Sequence, residues 1–294
     1  MRRLPALVAA LLLPATTPTL LGTAVSTGAL LVSPAPAQAT SADYYLAQAK
    51  ALLGKKGREQ EVIRLSNQVL TVSQNADAYF YRAYAKDDLG DKKGAIADYN
   101  QAIAINPQDA KAYYNRGNVK DDLGDKKGAI ADYNQAIAIN PQDANAYYNR
   151  GYNKSALGDK KGAITDYNQA IAINPQDADA YYNRGYNKSA LGDKQGAISD
   201  YSQAIAINPQ YAVAYNNRGN AKSALGDKQG AISDYSQAIA INPQYADAFK
   251  NRGIAYEKVG DLRSACNDWR AAASLGDKDA ADWVGKECKM LLIG

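Results

Sequence analysis

Proline returns at a constant interval in this chain, and that interval limits the folds the chain can adopt. Five prolines follow one another at steps of 34 residues: Pro107, Pro141, Pro175, Pro209 and Pro243. Nearly the same sequence surrounds each proline, and it divides into six full units: 76–109, 110–143, 144–177, 178–211, 212–245 and 246–279. Near-identical sequence at this period predicts a repeat architecture, in which each unit is one supersecondary element stacked on its neighbours.

The unit 110–143 shows how each repeat divides into two helices. Asp109 can accept hydrogen bonds from the free N–H groups of a following helix, so we expect the first helix over about 110–123. A Gly-Asp dipeptide then ends this helix and begins the second one. The second helix should end near Ile139, because Pro141 lacks an N–H and disfavours helical geometry in the residue before it.

Small and aromatic side chains recur at helical spacing within the unit. Ala129, Tyr133 and Ala136 follow one another at steps of four and three on the second helix. The small residues and Gly117 allow the two helices to approach closely, and the Tyr133 ring can fill the space beside them. One hairpin alone cannot bury this face, whereas stacked hairpins can, so the pattern predicts an all-α solenoid.

The unit resembles the tetratricopeptide repeat, whose length is also 34 residues. The matching residues of the second unit are Tyr113, Gly117, Gly124, Ala129, Tyr133, Ala136 and Pro141. The resemblance implies a right-handed α-solenoid of helix-turn-helix repeats over 76–279. Residues 40–75 resemble the repeat only weakly, since Glu61 stands where a small residue is expected, and we interpret them as a degenerate N-terminal helical hairpin. Residues 280–294 should form a C-terminal capping helix, with Trp283 packing back on the array.

Residues 1–39 have the features of a signal peptide. They contain no acidic residue, begin with Arg2 and Arg3, and end in the small-residue pattern of residues 37–39. Neither apolar stretch between these ends approaches the roughly 20 residues that span a bilayer. We therefore predict cleavage after Ala39, a secreted or periplasmic protein, and no stable membrane span once the signal is removed. A retained membrane anchor is the alternative.

The composition argues against catalysis and against nucleic-acid binding. The chain has no histidine, so it cannot form a zinc site of Cys and His or a Ser-His-Asp triad. We expect no enzyme, no cofactor and no metal. The chain has 34 basic and 30 acidic residues, which alternate along its length, and loss of Arg2 and Arg3 would leave a net charge of only +2. This balance provides no electrostatic reason to expect nucleic acid as a partner.

The resemblance also implies where a ligand would bind. Tetratricopeptide arrays form a concave groove from their first helices, and in peptide-binding members an asparagine of the groove touches the ligand main chain. The groove residues implied here are Tyr114, Asn115, Asn118, Asp121, Asp122, Tyr148, Asn149, Tyr152, Tyr182, Asn183, Tyr186, Asn216, Asn217, Asn220, Lys250 and Asn251. Amides can donate and accept hydrogen bonds, and tyrosine rings offer a large contact area. The resemblance predicts a scaffold that holds a peptide segment or a partner protein.

Three other interpretations remain open at this stage. The near-identity of the repeats also suits a structural spacer or a self-associating array. The tyrosines and asparagines would equally suit a surface that binds cell-wall polysaccharide. Finally, asparagine is a common surface residue and tyrosine a common helix-packing residue, so the predicted groove could be a passive surface.

The charges of the predicted groove form a gradient along the array. Its N-terminal end carries Asp87, Asp88, Asp121 and Asp122, while the matching later residues are Ser155, Ala156, Ser189, Ala190, Ser223 and Ala224. The only cations that we can place in the groove are Lys111 and Lys250. A ligand with a basic end and a neutral, polar body would fit this gradient.

Two further pairings are expected outside the groove. The arginine that precedes Gly in each first helix should pair with an aspartate of its own second helix, as Arg116 with Asp132 and Arg150 with Asp166. Cys266 and Cys288 are the only cysteines, and in an exported chain such a pair suggests a disulfide. Two small buried thiols are the alternative.

Overall fold

A computed structural model of the chain describes residues 35–288. These residues form fifteen α-helices: α1 Ala35–Leu52, α2 Glu59–Leu70, α3 Ala76–Asp88, α4 Lys92–Ile105, α5 Ala110–Asp122, α6 Lys126–Ile139, α7 Ala144–Ala156, α8 Lys160–Ile173, α9 Ala178–Ala190, α10 Lys194–Ile207, α11 Ala212–Ala224, α12 Lys228–Ile241, α13 Ala246–Lys258, α14 Leu262–Ser274 and α15 Lys278–Glu287. Each helix packs on the next one in the chain, and this described part contains no β-strand. The all-α solenoid predicted from the sequence is confirmed.

Local hydrogen bonds set the ends of the two helices in each hairpin. In the second repeat the Asp109 carboxylate accepts from the Ala112 N–H at 3.3 Å and so caps α5. Gly124 follows α5 with a φ of +82°, a conformation that glycine adopts with little strain. The Asp125 carboxylate then accepts from the Gly128 N–H at 2.9 Å and caps α6. These contacts confine the turn between the two helices to three residues.

Each hairpin is held by a close approach of its two helices. Ala129, Tyr133 and Ala136 of α6 are buried against α5. A methyl group added at Gly117 would lie only 2.8 Å from Tyr133 Cε1, so glycine is required where this ring crosses α5. Neighbouring hairpins then share further apolar contacts, as Ala136 packs with Ala146 of α7 at the next boundary. The solenoid is therefore a series of small cores, one at each boundary.

The N-terminal hairpin departs from this plan by one residue. Its turn occupies residues 53–58, which is six residues where the other hairpins have three. The buried position of α2 therefore falls on Val62, which is 1% exposed, and Glu61 instead pairs with Arg64 at the surface at 2.7 Å. Val62, and not Glu61, therefore takes the place of the small buried residue of the other repeats.

The C-terminal capping helix, α15, lies against the last hairpin. It begins two residues earlier than expected, because the Asp277 carboxylate accepts from the Ala280 N–H at 2.9 Å. The Trp283 ring packs at 5.4 Å from that of Trp269. The sulfur atoms of Cys266 on α14 and Cys288 after α15 form a disulfide, which joins the capping helix to the array.

Two predicted segments fall wholly or partly beyond the described residues. Of the predicted signal peptide, residues 1–34 lie outside them, and the predicted cleavage point after Ala39 falls within α1. The end of the predicted capping segment, residues 289–294, also lies outside them. Among the helices of residues 35–288, none has the length and apolar character of a membrane span.

Candidate functional site

The predicted groove asparagines form hydrogen bonds between neighbouring repeats. In three pairs the asparagine Nδ2 donates to the hydroxyl of a tyrosine in the preceding repeat: Asn149 to Tyr114 (3.1 Å), Asn183 to Tyr148 (2.9 Å) and Asn217 to Tyr182 (2.9 Å). Burial raises the pKa of all three tyrosine hydroxyls, so they stay protonated at neutral pH. These side chains therefore connect repeats as well as line the predicted groove.

The pairing changes at both ends of the asparagine series. Asn115 has no tyrosine hydroxyl to meet, because Phe80 occupies the matching position of the preceding repeat. At the other end Asn251 Nδ2 donates to Asn216 Oδ1 at 3.0 Å. Asn216 is only 4% exposed, so the expectation that it faces a ligand is wrong: its neighbours cover its side chain.

Two further groove asparagines accept hydrogen bonds from the second helix of their own repeat. The Tyr133 hydroxyl donates to Asn118 Oδ1, and the Tyr235 hydroxyl donates to Asn220 Oδ1, both at 2.8 Å. Burial raises the pKa of both tyrosines, which favours the donating form. Asn220 also lines a cavity that its repeat shares with the next one.

Tyrosine replaces this asparagine in the third and fourth repeats. Tyr152 and Tyr186 stand there, and each is 49% exposed. The ammonium groups of Lys126 and Lys160 lie 5.8 and 5.7 Å from the centres of these two rings. Without the asparagine, the buried Tyr167 hydroxyl has no hydrogen-bond partner among the described residues. These two rings are the most accessible aromatic groups of the predicted groove.

A row of lysines in the groove was missed by the sequence analysis. Each begins the second helix of its repeat: Lys92, Lys126, Lys160, Lys194 and Lys228. Lys194 and Lys228 line the same cavities as the groove residue Asn220. The expectation that Lys111 and Lys250 are the only groove cations is therefore wrong. These lysines recur every 34 residues, and that recurrence could have indicated them. It was not informative by itself, because residues in the first turn of a helix are commonly exposed to solvent.

The two lysines that the sequence predicted in the groove, Lys111 and Lys250, have contacts elsewhere. Lys250 Nζ donates to Asp277 Oδ2 at 2.7 Å, and this bond raises the pKa of Lys250. Because Asp277 caps α15, Lys250 holds the capping helix. Lys111 lines a separate cavity of about 540 Å³ with Asp77 and Asn140.

The acidic end of the groove is partly neutralised by the first two lysines of the row. Lys92 Nζ lies 2.7 Å from Asp87 Oδ1 and 2.6 Å from Asp122 Oδ2, so it bridges the first and second repeats. Lys126 Nζ lies 3.0 Å from Asp121 Oδ1. The predicted acidic residues are thus present, but with part of their charge already paired.

The expected arginine pairs are confirmed, and each has a further partner. Arg116 Nη2 lies 2.6 Å from Asp132 Oδ1, and Arg150 Nη2 lies 2.6 Å from Asp166 Oδ1. Arg116 Nη1 also donates to Asn100 Oδ1 of the preceding repeat at 2.6 Å. These arginines therefore join consecutive repeats, and their side chains are largely covered, at 15% and 16% exposed.

Two cavities of similar plan follow one another along the inner surface. The first, of about 220 Å³, lies between the fourth and fifth repeats and is lined by Tyr186, Ser189, Ala190, Lys194, Tyr201, Asn217 and Asn220. The second, of about 460 Å³, lies one repeat later and is lined by Asn220, Ser223, Ala224, Lys228, Tyr235, Asn251, Ile254 and Lys258. Both are rich in hydrogen-bonding groups. No cluster of His, Cys, Asp or Glu in the described part of the chain could hold a metal ion.

Models of the tetratricopeptide repeat match most of this array. One matches residues 88–124, 155–188, 189–226 and 219–260, and a second matches 110–143. No curated protein matches the chain.

Several solved structures have a similar fold. A crystal structure of the MamA protein is 28% identical, has a TM-score of 0.55, and covers 58% of this chain and 94% of its own. YrrB, described as a protein with an unusual peptide-binding site, is 24% identical with a TM-score of 0.57 and covers 64% of this chain and 97% of its own. The C-terminal part of a repeat protein from Cytophaga hutchinsonii is 19% identical with a TM-score of 0.68 and covers 81% of this chain and 98% of its own.

Proposed function

Since the chain belongs to the tetratricopeptide repeat family, which is generally a non-enzymatic protein-interaction fold, we propose that its inner surface binds an extended segment of a partner protein. The observation that carries this proposal is the pair of cavities between the fourth, fifth and sixth repeats. They follow one another in the direction of the array, and polar side chains line them. An extended segment passing along the array could place one side chain in each.

The exposed rings of Tyr152 and Tyr186 support the proposal. Tyrosine offers a large rigid contact area with little loss of side-chain entropy, and it is enriched where proteins bind one another. Both rings are half-exposed and lie in consecutive repeats, and Tyr186 lines the first cavity. A lysine ammonium lies beside each ring, where a cation–π contact favours the position that the ring occupies.

One observation favours a second candidate, a structural spacer. The amide hydrogens of Asn149 and Asn183 are already used within the protein, in contacts between or within repeats. In a spacer these contacts would serve stiffness alone. Such an array would have no saturable ligand.

The two candidates are separated by a binding experiment with paired variants. The full-length chain is used to capture partners from an envelope extract, and the captured partner is then titrated against the purified chain. We expect the double variant Tyr152→Ala and Tyr186→Ala to weaken the affinity about tenfold or more. The control is Tyr44→Ala, a tyrosine of similar exposure (58%) on α1, outside the predicted groove. An equal effect of the two variants would exclude Tyr152 and Tyr186 as the contact, and the absence of a saturable partner would favour the spacer. Competition by soluble sugars would indicate a polysaccharide ligand.

We further propose that the protein is exported, from the signal-like residues 1–39 and the two cysteines. Disulfides persist mainly in oxidising compartments. N-terminal sequencing of the protein from cells tests this proposal. A chain that begins at Thr40 would support it, and a chain that begins at Met1 would contradict it.

A further inference from the structure

Three lysines of the inner surface have no carboxylate partner. Lys160, Lys194 and Lys228 begin α8, α10 and α12, and none of them forms an ion pair within residues 41–288. Lys92 and Lys126, at the same position of the first two repeats, do form ion pairs with groove aspartates. The lysine at this position is thus paired with a carboxylate in the first two repeats and unpaired in the next three.

The cause lies at the end of the first helices. In the first two repeats these helices end in a pair of aspartates, and in the next three they end in a serine and an alanine: Asp87–Asp88 and Asp121–Asp122 against Ser155–Ala156, Ser189–Ala190 and Ser223–Ala224. Three of these carboxylates, Asp87, Asp121 and Asp122, form ion pairs with two of the lysines, whereas no carboxylate stands at these positions beside the other three. The inner surface changes sign along its length, from negative to positive.

In the fourth and fifth repeats the serine of the pair holds the lysine in place without neutralising it. Lys194 Nζ donates to the Ser189 main-chain oxygen at 2.7 Å and to Ser189 Oγ at 3.0 Å. Lys228 Nζ donates to the Ser223 main-chain oxygen at 2.6 Å. An ammonium group has three N–H donors, so at least one remains for a ligand in the cavity that each lysine lines. A lysine already held in position loses less entropy when it binds.

The aspartates that precede these lysines are engaged at the helix ends. Asp193 Oδ1 accepts from the Gly196 N–H, and Asp227 Oδ1 accepts from the Gly230 N–H, each at 2.8 Å. Their charge is stabilised by the positive end of the helix dipole. In the last cavity the exposed Lys258 adds a second ammonium to Lys228. The linings of the two cavities therefore contain ammonium groups and no carboxylate.

From this arrangement we infer that the segment bound by the inner surface is acidic where it faces repeats three to five and neutral or basic where it faces repeats one and two. The inference rests on the proposed function and names the chemical class of its ligand. The sequence predicted a ligand whose middle part is neutral and polar. The structure instead favours a ligand that carries carboxylates at intervals of one repeat.

A polypeptide fits this surface better than a nucleic acid. Nucleic acids carry a charge on every nucleotide, and proteins bind them by neutralising many closely spaced phosphates. Here one lysine is available in each repeat, and the aspartates of the first two repeats would repel a polyanion that continued along the groove. The tyrosines and amides between the lysines suit the hydrogen bonds and contact area of a peptide.

Selection from a random peptide library tests the inference without knowledge of the natural partner. The full-length chain, the ladder variant Lys160→Gln, Lys194→Gln, Lys228→Gln and a control variant Lys93→Gln, Lys127→Gln, Lys161→Gln are each used as bait. The control lysines are exposed, directly follow lysines of the row, and change the net charge equally. We expect the wild type and the control to enrich acidic peptides and the ladder variant to lose that enrichment.

Direct binding of one enriched peptide then gives the magnitude. Fluorescence anisotropy should show that the ladder variant binds it about tenfold or more weakly than the control, and that replacing Asp and Glu by Asn and Gln in the peptide has a similar effect. Affinity should also fall as salt rises. Equal binding by the ladder and control variants would overturn the inference.

The remaining outcomes separate this inference from the proposed function. Enrichment of neutral or basic peptides that depends on Tyr152 and Tyr186 would overturn the acidic ligand and leave the binding groove intact. Enrichment of no peptide would overturn the proposed function and this inference with it. If a single-stranded oligonucleotide bound as strongly as the peptide, and the ladder variant lost that binding, the assignment of the ligand to a protein segment would be overturned.

Discussion

Asn183 donates an amide hydrogen to the hydroxyl of Tyr148, at 2.9 Å, across the boundary between the third and fourth repeats. Its Nδ2 also donates to the main-chain oxygen of Asp179 at 2.9 Å. An asparagine amide has two donor hydrogens, so both are used within the protein. A ligand main chain could still donate to Asn183 Oδ1, but the expected donation from this amide would require breaking an internal bond.

The first prediction concerns the Tyr148 hydroxyl. Tyr148→Phe should destabilise the boundary by about 1 kcal/mol, because one amide hydrogen of Asn183 loses its acceptor. Tyr147→Phe is the matched control, since that ring lies beside Arg150 and its hydroxyl forms no hydrogen bond with a described residue. Hydrogen exchange of α7 and α9 measures the effect. Equal protection in the two variants would show that the Tyr148–Asn183 bond contributes nothing to this boundary.

The second prediction concerns the ion pairs that join the two helices of one repeat. The Asp166 side chain is 2% exposed and meets both Arg150 and Lys154. Asp166→Ala should cost about 3 kcal/mol or more, because two partly buried cations lose their partner. The exposed pair of Glu61 and Arg64 provides the control, and Glu61→Gln should change the thermal unfolding of the chain little. Similar shifts of the unfolding temperature in both variants would contradict this ranking.

The third prediction compares two helical glycines. A methyl group at Gly151 would lie 3.1 Å from Asp166 Cβ and 3.2 Å from the Ala163 carbonyl oxygen, so Gly151→Ala should destabilise the third repeat by about 1–3 kcal/mol. A methyl group at Gly285 in α15 meets no atom within 4 Å, so Gly285→Ala should stabilise that helix by about 0.5–1 kcal/mol. Thermal unfolding monitored by circular dichroism should show shifts of opposite sign, and shifts of the same sign would refute the comparison.

The fourth prediction concerns the disulfide between Cys266 and Cys288, which are 22 residues apart. A closed loop of this length stabilises the folded state by about 3 kcal/mol in the chain-entropy model. Replacing both cysteines by alanine should therefore allow α15 to open more often. Tryptophan fluorescence should report the change, because Trp283 packs on Trp269. Modification of both thiols in the native, unreduced protein would rule out the bond.

The fifth prediction is that the capping helix α15 detaches from the last hairpin at acidic pH. Burial opposes ionisation of Asp277, but hydrogen bonds from Lys250 and the Ala280 N–H hold its pKa below the usual 3.8. Its contribution to stability is therefore complete above pH 3.8 and is lost as the pH falls through the lower folded-state value. Tryptophan fluorescence should show this acid transition in the wild type, while Asp277→Asn should already be weakened at neutral pH.

Asp279→Asn is the control for this titration. That side chain is 74% exposed and lies 4.0 Å from Lys250, so its removal should leave the transition nearly unchanged. Identical titrations of the wild type and Asp277→Asn would exclude the Lys250–Asp277 contact as the cause.

Much of the fold could be predicted because its signals are local. Asp109 caps α5 and Pro141 follows α6 through contacts within a few residues, so they can be read from one unit and transferred to the others. The arginine pairs were also predictable, since Arg116 and Asp132 lie on facing helices of one hairpin. The one-residue shift at Val62 was not, because it depends on the length of an irregular turn.

The candidate site was predictable only in part. The sequence predicted Tyr186, Asn217 and Asn220 as residues of one groove, and these three residues line one cavity. It did not reveal that Asn216 is covered or that Lys194 enters the groove from the second helix. Both facts depend on how one hairpin is placed on the next.

By itself, the sequence determined the repeat period, the two helices of each hairpin and the residue types at every repeated position. Those properties follow from contacts within one unit, and the unit is present six times. Only the tertiary structure decided which groups are engaged and which stay available to a ligand. The amide of Asn183 and the ammonium of Lys92 are satisfied by residues of a neighbouring repeat, whereas Lys160 meets no carboxylate. Such contacts form between residues about one repeat apart in the chain, and stacking of the hairpins is what brings them together.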